Sequence, residues 1–106
     1  MNTSLYVHID NYSPHEKIIN IANEINRMTN RILHIIPDIE RPGSPGYAIF
    51  PSERPDIALI KVGVDFINTP YLDIIVSHEI LHLLLHCQGF PIFHWHSIDD
   101  DYFGSA

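Results

Sequence analysis

The segment from Thr69 to Pro91 constrains the fold of this chain more than any other. Thr69-Pro70 offers an N-cap followed by proline at the first helical position, and Gly89 with Pro91 supplies a stop. The spacing predicts a helix from Tyr71 to about Gln88. Its apolar residues (Leu72, Ile74, Ile75, Val76, Ile80, Leu81, Leu83, Leu84 and Leu85) run round almost the full circumference. A helix apolar on every side has to be enclosed by the rest of the chain, so this one is expected to be central and buried. Yet it also carries His78, Glu79, His82 and His86. Burying such groups costs free energy unless they are paired or coordinated, which marks this helix as the place to look for chemistry.

The chain has 106 residues, enough to enclose that helix in one domain spanning residues 1–106 and too few for two. Leu5 to Ile9 alternate as a short strand does. Ser13, Pro14 and Glu16 read as a capping box with proline at the first helical position, so a helix is expected from there. Ile18, Ile21, Ala22, Ile25 and Met28 form its apolar stripe, with Lys17, Asn20, Glu24 and Arg27 on the other side. Ile32 to Ile36 reads as a strand ended by Pro37, followed by a loop dense in proline and glycine. Tyr47 to Phe50 and, more clearly, Ile57 to Val62 are further strands. The expected fold class is α+β: a small mixed sheet of three to four strands packed on an N-terminal helix and the central helix.

Charge is placed unevenly. Through Lys61 there are six basic and seven acidic side chains; beyond it lie six acids (Asp65, Asp73, Glu79, Asp99, Asp100, Asp101) and no Lys or Arg, which makes up nearly all of the net −7. That argues against nucleic-acid contact by this half and for attraction of a cation. Histidine is in excess, with eight copies against six Lys plus Arg. His8, His15 and His34 have no partner the sequence can name. The single cysteine, Cys87, has no partner for an internal disulfide, and no basic-then-apolar leader opens the chain, so the cytoplasm is the expected setting. No apolar stretch is long enough to span a membrane.

The central helix reads His78-Glu79-Ile80-Leu81-His82, an H-E-x-x-H. Residues four apart lie about 40° from each other around the axis and one turn along it, so both imidazoles can reach one metal ion. Glu79 then stands beside the open coordination position, where it can take a proton from water. This resembles the zincin metallopeptidases. The resemblance implies Zn2+ held by His78, His82 and a third group, Glu79 as general base, and a peptide or protein substrate. It also implies an edge strand above the metal that pairs with extended substrate, a role for which Ile57 to Val62 is the candidate.

The third ligand is open among four residues. His86 lies roughly 12 Å along the axis from His78, which suits a helix-end side chain near terminal carbonyls better than a shared ion. His94 and His96 follow the helix stop, as the third histidine does in SprT-like proteases, and His96 is favoured. Asp100-Asp101-Tyr102-Phe103-Gly104 is similar to the aspartate element of aspzincins, although only Asp100 and Gly104 match it. Gluzincins take a glutamate downstream of the motif, and no Glu follows Glu79 in this sequence; metzincins need Gly and His where Leu85 and Gln88 stand, so neither class matches these residues. His78 to His86 also resembles the H-E-x-x-H-x-x-L-H of ImmA/IrrE-type proteins, over nine residues. Tyr102 is the candidate oxyanion donor. The function expected is a zinc metallopeptidase of one minimal domain. The alternative is a non-catalytic, zinc-stabilised module that binds or regulates other proteins, and a third reading makes the histidines core fillers of a metal-free interaction protein.

Overall fold

Isoleucine-rich segments set apart by proline and glycine become a four-stranded sheet in the computed structural model, which describes residues 4–90. Strand β1 (Leu5–Val7) leads through helix α1 (Glu16–Thr29) into β2 (Ile32–Asp38). Strands β3 (Tyr47–Ile49) and β4 (Ile57–Gly63) follow, then one 3-10 turn (Val64–Phe66) and helix α2 (Leu72–Cys87). The order across the sheet is β1-β2-β4-β3, with β1, β2 and β4 parallel and β3 antiparallel to β4. The mixed α+β architecture expected from the sequence is present.

Register puts residues of one parity on one face. Leu33 pairs with Ala58 and Ile35 with Ile60, and these four, with Val62, are fully buried beneath the helices. Ile18, Ile21, Ala22 and Ile25 of α1 meet them, as do Val76, Ile80, Leu81 and Leu85 of α2, in one continuous core. Each fully buried Leu or Ile contributes about 1.5–3 kcal/mol relative to exposure, so this two-layer packing is the main stabilising term. His34, Leu59 and Tyr6 belong to the opposite face, which is half-buried or open.

Several boundaries differ from expectation. Strand β2 runs through Pro37, because Leu33 donates its amide to Ser4 toward β1, and the same side at Pro37 lies beyond the last β1 pair, Val7 with Ile35. The donor that proline lacks is not needed there. Helix α1 begins at Glu16, and the cap is His15, whose Nδ1 accepts from the Lys17 amide at 3.0 Å. The Ser13 capping box does not form, since the buried stripe starts at Ile18 and no packing requires residues 13–15 to be helical. Met28, at 39% exposure, lies outside the core. Likewise α2 starts at Leu72; Thr69 shapes the preceding turn, its hydroxyl donating to the Phe66 carbonyl and accepting from the Tyr71 amide.

The end of α2 follows the predicted stop closely. Gly89 takes φ +78°, its amide donates to the His86 carbonyl, and the Phe90 amide donates to the Leu85 carbonyl. These are the two bonds of a Schellman motif with glycine at the left-handed position.

Candidate metal centre

Strand order decides what lies beside the motif. Strand β4 is interior, flanked by β2 and β3, so it is not the edge strand expected of Ile57–Val62. Among the described residues the edge on that side is β3, which returns antiparallel after the loop that follows β2 and leaves β4 between them. The cause is burial: Ala58, Ile60 and Val62 all face the core at zero exposure, which an interior strand satisfies.

Two glycines bring the loop before β3 against the helix and sheet. Gly63 at the end of β4 donates to the Ser44 carbonyl, and the Asp65 amide donates to that of Pro42. A Cβ on Gly63 would lie 2.4 Å from the Pro42 oxygen and 2.6 Å from that of Ser44, so this approach needs glycine. Gly46, at φ +108°, then turns the chain into β3 directly over α2; a Cβ there would fall 2.7 Å from Ile75 Cγ2 and 3.4 Å from Glu79 Cγ. Helix α2 is anchored at its first turn as well, where Tyr12 Oη donates to Asp73 Oδ1 at 2.7 Å. Burial first, and then this bond and the Asp73 charge, hold the Tyr12 phenol far above its ordinary range.

Within this setting the motif residues converge. Potential ligand atoms of His78, Glu79 and His82 lie within 4.8 Å of one another, the group of this kind found among the described residues. The two imidazoles meet edge to face with centroids 4.2 Å apart, and Glu79 Oε1 stands 3.7 Å from His82 Nδ1. Glu79 is 9% exposed, while His78 and His82 are half-buried. Tetrahedral ligands about 2.1 Å from a zinc ion sit roughly 3.4 Å apart, so small side-chain rotations bring this set to that spacing. Two imidazoles suit zinc as ligands, and the Glu79 carboxylate beside them can either close the donor set or act on a water held there.

His86 is exposed and outside that group; its ring lies 5.5 Å from Phe50. His94, His96, Asp100 and Tyr102 lie outside the described residues. Sequence reasoning missed Gly46, Gly63 and Phe50 as shapers of the site. The Pro45-Gly46 pair before a strand was the available signal for the first; nothing local marks the others. Among the described residues no helix is long and apolar enough to cross a membrane. No protein-family model, curated protein or solved structure matches the chain.

Proposed function

We propose that the protein is a zinc-dependent metallopeptidase in which His78 and His82 hold the ion and Glu79 is the general base. The observation that carries this reading is the convergence of the three side chains on the stretch of α2 that β3 approaches, with Gly46 close to Glu79 and Ala48, Ile49 and Phe50 sharing a cavity wall with His82. A bound zinc ion supplies Lewis acidity, activating water near neutral pH and polarising a carbonyl. The Glu79 carboxylate accepts the proton lost by the attacking water and returns it to the leaving amine. Its low exposure and its approach to His82 at 3.7 Å restrict the orientations the carboxylate can take. The outer edge of β3 offers backbone donors and acceptors to an extended peptide, the role first expected of β4. His96 is the third ligand we favour, with His94 and Asp100 as the competing choices. The setting we propose is the cytoplasm, where Cys87, its thiol pushed up by burial, stays reduced.

The burial of Glu79 also favours a second reading, a zinc-stabilised, non-catalytic module in which Glu79 is itself a ligand. Glu79→Gln separates the two. In the peptidase, the variant keeps zinc at one equivalent and loses cleavage of a peptide mixture; in the module it loses zinc and there is no cleavage to lose. Retained cleavage in the variant removes Glu79 as the base.

A further inference from the structure

A cavity of about 270 Å³ opens between β3 and the C-terminal half of α2, lined by Ala48, Ile49, Phe50, His82, Leu83 and His86. Its walls are mostly carbon. The rings of Phe50 and His86, 38° apart in plane, form one aromatic side. Arg31 stacks over Phe50, its guanidinium carbon 5.1 Å from the ring centroid. Arg31 Nη1 in turn donates to the carbonyls of Pro51, Arg54 and Ile57, which fixes the β3–β4 connection and pre-forms the wall. An apolar cavity of about 150 Å³ already accepts benzene, so this one has room for a whole aromatic or long aliphatic side chain. A charged side chain entering it exchanges hydration for two imidazoles and hydrocarbon, which is unfavourable.

We propose that this cavity receives a large apolar side chain, aromatic by preference, of an extended peptide paired along the outer edge of β3, and so sets the substrate class. As a statement about substrate it rests on the peptidase reading above. Strand addition gives backbone bonds that are the same for every sequence, and selectivity has to come from a pocket for a side chain. Here the pocket and the metal group share a residue. His82 belongs to both, so the occupant side chain flanks the reacting bond rather than lying several residues away. Tilted ring contacts with Phe50 and His86 favour an aromatic occupant over an aliphatic one of equal size.

The test joins binding to cleavage. In the zinc-loaded Glu79→Gln chain, an acetylated Gly-Phe-Gly amide is expected to shift the amide resonances of Ala48, Ile49, Phe50 and Leu83, and to bind roughly tenfold tighter than the Gly-Ala-Gly amide. Ala48→Leu fills the cavity from the strand side and is expected to abolish that preference; Phe50→Ala, on the other wall, serves the same purpose should the first variant fail to fold. With the wild-type chain, cleavage of a peptide mixture is expected to concentrate beside Phe, Tyr, Trp, Leu or Met. Selective binding of the Phe peptide without any cleavage refutes the peptidase reading and supports the cavity assignment. Equal binding of the two peptides, shifts confined to other surfaces, or cleavage indifferent to apolar side chains overturns the assignment.

Discussion

Replacing Gly46 by alanine tests whether the crossing of β3 over α2 depends on a missing side chain. Two costs follow from the geometry. At φ +108° an L-residue is strained, at about 1–3 kcal/mol. The added methyl also meets Ile75 Cγ2 at 2.7 Å, a stiff β-branched side chain, with the Lys61 carbonyl oxygen at 3.3 Å and Glu79 Cγ at 3.4 Å behind it. Overpacking of this kind costs about 1–3 kcal/mol. Reduced freedom of the unfolded chain returns about 0.4–1 kcal/mol, so the net loss is about 3 kcal/mol. For a domain near this size that lowers Tm by about 12–24 °C. Gly89 is the internal control: its φ of +78° is also left-handed, but an added Cβ has nothing within 4 Å. Gly89→Ala therefore carries the backbone cost alone, about 1–2 kcal/mol. The assay is urea denaturation of both variants beside wild type, without metal. Equal losses at the two positions would refute the packing argument and with it the close seating of the strand on the helix.

Three other outcomes are expected. Zinc at a hundredfold excess over its dissociation constant stabilises the native chain by about 2.7 kcal/mol, a rise of roughly 10 °C or more in Tm; His78→Ala and His82→Ala each remove that rise, and a zinc response surviving in both places the metal elsewhere. Tyr12→Phe deletes the bond to Asp73 and is expected to cost about 1.5 kcal/mol in chemical denaturation, with an unchanged midpoint counting against the anchor. Burial first, then the neighbouring His8 and Arg54, hold the His34 imidazole below its ordinary 6.5 against the opposing pull of Asp56. The unfolded chain thus binds this proton first, and stability is full above about pH 6.5 and falls as pH drops through the folded value. His34→Gln should flatten that part of the stability profile, and an identical acid slope in the variant would assign the loss to other groups.

What the amino-acid order reveals here depends on how far apart the cooperating residues lie. His78, Glu79 and His82 share one helix, so helical geometry alone brings them together and the motif was legible; the burial of its helix was legible only in part, since Ile74, counted in the apolar circumference, is 46% exposed. The stop at Gly89 was equally local: a left-handed glycine and two backbone bonds within five residues of each other. Helix starts were less so. Ser13 and Thr69 both carry the chemistry of a cap, but where the first turn forms was decided by how far the buried stripe extends, and both helices begin two or more residues later than a cap at those positions implies.

Strand order was illegible for a further reason. Ile57–Val62 has the strongest strand character after β2, and that strength is what takes it into the sheet interior, where both of its backbone edges and its core face are satisfied. Tyr47–Ile49, the weaker and shorter segment, is left at the margin. A short edge strand resists pairing with copies of itself, while a three-residue edge still suffices for a bound peptide when a pocket holds one side chain in place. Such a strand has no distinctive pattern of its own. Its position is set instead by glycines 46 and 63, which let the preceding loop lie against α2 and the end of β4. The catalytic base we propose and the strand edge beside it therefore depend on different physics: Glu79 on helical spacing, β3 on two places where a side chain is absent.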